Sequence, residues 1–171
     1  MQPTGYHLAE LNIGRLLAPT DDPRVADFMG ALDRVNGMGK RMPGFVWMME
    51  GSGEPGPQAL NTGNTAAKIG GDPQFVSNLT VWETVGALEN FVWNTVHRTF
   101  YERRAEWFEV LGKMHFVMWW VPVGHNPTLE EALAKLALKQ ENGDSDQAFG
   151  WSYLKEARAW KTHGCAQVAA E

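Results

Sequence analysis

Trp119 and Trp120 stand side by side in the longest apolar run of the chain, Phe116 to Val123. That run is far shorter than the ~20 residues a membrane-crossing helix needs. Read as a strand over Met114–Val121, it sends the two indoles to opposite faces. A sheet built around it therefore needs cover on both sides, while at 171 residues and 19.1 kDa the chain has the length for one core.

The remaining elements follow from periodicity. Leu8 to Leu17 alternates, with Leu11 and Ile13 on one side and Glu10 and Asn12 on the other, and this is the first strand. Asp22-Pro23 supplies an N-cap and a first-turn proline, and Val25, Phe28, Met29, Leu32 and Val35 recur at helical spacing. The helix is expected over Pro23–Asn36, closed by Gly37 and Gly39. Gly44–Glu50 is a short apolar strand, and Phe75–Glu83 alternates as a third.

Thr84 to Leu111 turns helical, with Leu88, Val92, Val96, Phe100 and Trp107 on one stripe. After the strand of the paired tryptophans, Thr128 and Glu131 form a T-x-x-E capping box for a further helix ending at Asn142-Gly143. Ala148–Tyr153 reads as a last short strand. The order predicts an α+β, ferredoxin-like βαββαβ sheet with helices on one face and one helix appended. The domain is expected over residues 1–153, with a loosely held tail over 154–171. Residues 51–74 form a long loop, glycine- and proline-rich, that serves as a lid or an embellishment. With helices on one face only, the sheet tryptophans Trp47, Trp82, Trp119 and Trp120 need a second cover, and a second copy of the chain is the expected one.

Composition removes several functions. The net charge is −5 and the pI near 5.5, so no basic field attracts nucleic acid or an anionic membrane. Cys165 is the only cysteine, which excludes a disulfide framework or a multi-thiolate metal site. The five histidines show no ligand spacing, so no metal site is expected. The first residues carry no secretory pattern, and a soluble cytoplasmic protein is expected. Gly51-Ser-Gly-Glu-Pro-Gly56 fits G-x-G-x-x-G, but Pro55 and Pro57 remove the amides that would hold phosphate, and no helix opens behind it.

Two groups of residues carry possible chemistry. On a continuous second helix, Trp93, His97, Arg104 and Phe108 share one sector with Tyr101 at its edge. They suit the rim of a pocket in which His97 moves a proton and Arg104 binds an anionic oxygen. An amphipathic flank bonded to its neighbours explains the same pattern. On the strands, Asn12, Asn78, Thr80 and Trp82 point away from the inferred helix-facing residues, toward the second cover or a lumen. They would orient a small aromatic substrate there, or simply form a packed interface. Glu10 shares the parity of Asn12, and burial would make it a candidate base. Of the paired tryptophans, Trp120 is assigned to the lumen.

The runs Leu8-Ala-Glu-Leu-Asn-Ile-Gly-Arg-Leu-Leu17, Asp21-Asp-Pro-Arg24, Pro43-Gly-Phe-Val-Trp47, Asn78-Leu-Thr-Val-Trp-Glu83, His97 with Arg104 and Glu106-Trp-Phe108, and Trp119-Trp-Val-Pro-Val-Gly124 with Pro127-Thr128 together resemble the bacterial domain-of-unknown-function family 3291. The resemblance covers about Leu8 to Phe149 and implies membership of the dimeric α+β barrel superfamily. That superfamily also holds cofactor-independent antibiotic-biosynthesis monooxygenases and haem-degrading enzymes. It implies a homodimer acting on a small molecule, monooxygenase-like oxidative tailoring of an aromatic or polyketide-like metabolite with no cofactor required. The expected residues are His97 and Arg104 as catalytic groups, with Asn12, Asn78, Trp82, Trp93, Tyr101 and Trp120 around the substrate. By the same resemblance, a haem enzyme with His97 as axial ligand is the first alternative, and a non-catalytic ligand-binding dimer the second.

Overall fold

The computed structural model describes residues 1–49, 72–112 and 115–163. The predicted loop over 51–74 and Cys165 fall almost entirely outside them. The described chain is α+β, with four strands in one antiparallel sheet: β1 (Tyr6–Arg15), β2 (Phe45–Met48), β3 (Phe75–Trp82) and β4 (Phe116–Pro122), ordered β2-β3-β1-β4. Every neighbouring pair is antiparallel. Glu10 lies opposite Thr80 and Asn12 opposite Asn78 across β1 and β3, and Leu8 opposite Trp120 across β1 and β4.

The helices are α1 (Ala26–Gly39), α2 (Val85–Asn94), α3 (His97–Glu102), α4 (Leu129–Asn142) and α5 (Arg158–His163). Asp22 caps the first turn by accepting from the Arg24 amide at 2.9 Å, and a 3-10 turn over Pro23–Val25 leads into α1. The helix runs through Gly37 instead of ending there. Gly39 is part of its packing surface: a Cβ at that position would lie 3.2 Å from the Phe91 ring, so its absence lets α1 approach α2.

The long helix expected from Thr84 to Leu111 is broken. Thr84 caps α2 through the Ala87 amide, and α2 ends where Thr95 turns extended. The Thr95 hydroxyl donates to the Phe91 carbonyl at 2.6 Å and accepts from the His97 amide at 3.2 Å. This is the local competition with helix bonding at which threonine is effective. A new helix, α3, starts at His97, and a 3-10 turn over Arg104–Glu106 follows.

Alternation divides the sheet cleanly. Leu8, Trp82 and Met118 join one core with residues of α1 and α2 and with Phe149, Trp151, Leu154, Ala157 and Trp160. Ala9, Leu11, Leu79, Val81, Val117, Trp119 and Val121 join a second core with Leu129, Ala132 and Leu136 of α4. The helices are thus not confined to one face. α4 roofs the second face, and Trp119 is fully buried with its Nε1–H donating to Glu131 at 3.0 Å. Cover for the paired tryptophans, which sequence reasoning assigned to a second copy, is largely intramolecular. The capping box is half realised: Thr128 accepts from the Glu131 amide, while the Glu131 carboxylate turns to Trp119 and His125. Gly143, at φ 73°, closes α4, a conformation that suits glycine.

The C-terminal region also departs from expectation. Residues 148–153 make an isolated bridge between Phe149 and Met118 and a 3-10 turn, in place of a strand. Beyond Leu154, where a loose tail was expected, Leu154, Ala157 and Trp160 pack into the first core. Glu89 of α2 is buried, and its carboxylate accepts from the amides of Arg158 at 3.2 Å and Trp160 at 2.9 Å. It therefore satisfies donors at the start of α5 that have no partner within that helix. Among the described residues, no helix is long and apolar enough to cross a membrane.

Candidate functional site

Between the first face of the sheet and helices α1, α2 and α3 lies a cavity of about 500 Å³, within the size range of small-molecule sites. Its floor is polar: Glu10 and Asn12 from β1, and Ser77, Asn78 and Thr80 from β3. Its walls are mostly apolar and aromatic, with Phe28 of α1, Phe91 and Trp93 of α2, Phe100 and Tyr101 of α3, and Phe108 and Phe116 beyond.

The floor is organised by a chain of buried hydrogen bonds. The Trp82 indole Nε1–H donates to Thr80 Oγ1 at 2.9 Å, and the Thr80 hydroxyl donates to Glu10 Oε2 at 3.0 Å. Glu10 and Thr80 are each 5% exposed. Desolvation pushes the Glu10 carboxyl up from its ordinary 4.5 to about 8, against the opposing hydrogen bonds from Thr80 and Asn12. Burial disfavours the charged carboxylate more than those two donors stabilise it.

His97 shifts the other way. Burial lowers its imidazole from 6.5 to about 4, opposed by a hydrogen bond to the Val92 backbone. The ring lies against Phe91, centroids 4.8 Å apart, and its Nδ1 is closed off without a hydrogen-bond partner. At neutral pH it is an uncharged wall group and a weak base. Among the described residues, no cluster of three or more His, Cys, Asp or Glu has the geometry of a metal site.

Trp93 and Tyr101 meet edge to face with centroids 5.1 Å apart. The Arg104 guanidinium lies 4.3 Å from the Tyr101 ring centroid and donates from Nη1 to the Tyr101 carbonyl at 2.9 Å. At one end of the cavity Glu109 is paired with Arg15, which also bonds Asp72 at 2.7 Å.

The site residues expected from sequence separate into two sets. Asn12, Asn78, Trp93, His97, Tyr101 and Arg104 all line the one cavity. The sector on α2 and α3 survives the helix break because the Thr95 turn keeps both helices over the same stretch of sheet. Trp82 and Trp120 do not line it. Trp82 lies beside the floor, stacked on Phe91 with centroids 5.3 Å apart, and Trp120 packs on Phe149 at 5.4 Å. The polar residues of the strands do share a face, but it is the face that α1, α2 and α3 cover, and not the one turned away from them.

A family model for the domain of unknown function DUF3291 matches residues 7–165. The chain belongs to the DUF3291 family. No curated protein and no solved structure matches it. The matched region of this DUF3291 chain contains the whole cavity and extends past α5, so the segment latched by Glu89 is part of the family domain. The residue sequence reasoning underweighted is Glu10. Its signal was present in the alternation of β1, which sets a carboxylate between fully buried Leu8 and half-buried Asn12 on one face.

Proposed function

We propose that this DUF3291 protein is a small-molecule enzyme in which Glu10 exchanges a proton with a flat, mostly apolar aromatic substrate held over the sheet. The observation that carries the reading is Glu10 itself, a buried carboxyl on the floor of a ring-walled cavity, with a proton affinity raised to about 8. Such a group is half-ionised close to working pH, the condition under which general acid–base catalysis is effective. This transfers the role expected of His97 to Glu10. His97 remains a neutral wall residue, and Arg104 adds a positive charge at the α3 side that favours an anionic intermediate.

The reaction class is cofactor-independent oxidation by dioxygen, in line with the monooxygenase-like superfamily that the sequence resembles. Ionised Glu10 takes a proton from an acidic methylene of the substrate. The carbanion passes one electron to O₂, and the resulting radical and superoxide combine and take up the proton to form a hydroperoxide. Loss of water then leaves a carbonyl where the methylene stood. One oxygen atom ends in the product and the other in water, and the cavity walls keep solvent from the anion.

The split connections and the order β2-β3-β1-β4 support a ferredoxin-like sheet. On the second face Val46, Trp47 and Met49 are only partly covered beside α4, and this supports pairing of two copies there.

The test is oxygen uptake with anthrone, whose methylene is flanked by two aromatic rings. Turnover by the wild type rising with an apparent pKa near 8, and lost in Glu10→Gln, is the expected result. Turnover that survives Glu10→Gln, or tight binding of the probe without turnover, overturns the enzymatic reading.

A further inference from the structure

The chain of bonds beneath the cavity has a direction, and its direction follows from chemistry alone. An indole N–H can only donate, so Thr80 Oγ1 accepts from Trp82 at 2.9 Å. The hydroxyl has one proton to give. Among the described residues its other partner is Glu10 Oε2, 3.0 Å away. Were Glu10 to donate from Oε2 instead, the Thr80 proton would be buried without an acceptor, an arrangement that native cores avoid. All three residues are at least nine-tenths buried, so water does not compete for these bonds. Asn12 is a second donor to the same carboxyl.

We infer that Thr80 is a positioning residue: with its oxygen held by the Trp82 indole, its hydroxyl proton is turned onto Glu10 Oε2, and this bond fixes the orientation of the carboxyl that exchanges a proton with a ligand. The inference rests on the reading of Glu10 as the proton carrier and adds what holds its carboxyl in place. Trp82, expected to line the substrate site, acts from beneath it as the fixed end of the chain.

The test needs no substrate. Glutamate side-chain carboxyls are labelled with ¹³C in the full chain, and the Glu10 signal is assigned by its loss in Glu10→Gln. Its titration is then followed by NMR in the wild type, Thr80→Val and Thr80→Ser. The other ionisable side chains facing the cavity are His97, Tyr101, Arg104, Glu109 and His115, and all are unchanged in these variants. Thr80→Val keeps the shape and removes the donor, so the Glu10 titration is expected to move upward by about one to two pH units. The Trp82 indole proton resonance moves with it. Thr80→Ser restores both.

Thr80→Val leaves the Trp82 N–H without an acceptor. If that variant does not fold, the pair Thr80→Val with Trp82→Phe removes the orphan and is expected to show the same upward movement. A Glu10 titration that is high in the wild type but unmoved by loss of the Thr80 hydroxyl, or not restored by serine, overturns this inference alone. A wild-type Glu10 that titrates near 4.5 overturns both it and the proposed function.

Discussion

Glu10 and His97 face one cavity with opposite shifts, and together they shape how stability depends on pH. A carboxyl raised from 4.5 to about 8 is protonated in the folded chain while the unfolded chain has already lost its proton. Its contribution to stability is complete below pH 4.5 and is lost as pH rises toward 8. Each pH unit in that window is worth about 1.4 kcal/mol, so by pH 7 the loss is about 3 kcal/mol. His97, lowered from 6.5 to about 4, works in reverse. Its contribution is complete above pH 6.5 and is lost as pH falls toward 4, by up to about 3 kcal/mol and less to the extent that solvent reaches the ring. Between pH 4.5 and 6.5 the two slopes oppose each other, and the wild type is expected to show a shallow profile there and a fall above pH 6.5. Urea unfolding at pH 4.5, 5.5, 6.5 and 7.5 separates them. Glu10→Gln removes the falling limb, because an amide of the same shape still accepts from Thr80 and carries no titrating proton. Relative to the wild type it gains about 3 kcal/mol between pH 4.5 and 7. His97→Gln removes the opposing limb and steepens the fall. A difference between Glu10→Gln and wild type that stays flat across this range would refute the claim that folded Glu10 holds its proton.

Three further outcomes test the fold around the site. Gly14→Ala places a Cβ 2.6 Å from the Phe108 ring, so it should displace that ring at the cavity wall and cost about 1–3 kcal/mol in chemical denaturation, with weaker uptake of an apolar fluorescent probe. Glu89→Ala removes both acceptors at the start of α5. A loss of about 1–3 kcal/mol is expected, together with faster amide exchange at Arg158 and Trp160, and exchange rates equal to wild type would contradict the latch. Trp119→Phe deprives Glu131 of its indole donor and leaves a void under α4. Thermal unfolding should register about 2 kcal/mol, and hydrogen exchange in α4 should rise while that in α2 is unchanged.

β1 and β3 were legible because their signal is a period of two, carried by neighbours in the chain, and β2 and β4 because each is a short unbroken apolar run. The caps at Asp22 and Thr128 were legible in the same way, each being a short side chain within reach of amides two or three residues on. The break at Thr95 was harder to see, since the apolar stripe from Leu88 to Trp107 continues across it. Its cause is one hydroxyl bonding back to the Phe91 carbonyl. Gly39 reads as a helix stop, and α1 does end there, but the Phe91 ring packed against it has no signal in the local sequence. The packed segment after Leu154 was missed because its polar composition gives no hint that a carboxylate far back in the chain, Glu89, takes up its amides.

Alternation along β1, β3 and β4 was enough, without coordinates, to group Glu10, Asn12, Asn78 and Thr80 on one side of a sheet and to part Trp119 from Trp120. Folding in three dimensions settled what lies over each side: α1, α2 and α3 above the polar group, α4 above Trp119. Side-chain parity is a property of consecutive residues, whereas the partner of a face comes from distant segments whose packing no local pattern records. The protonation of Glu10 and His97 belongs to the second kind, because it depends on how much water those distant helices remove.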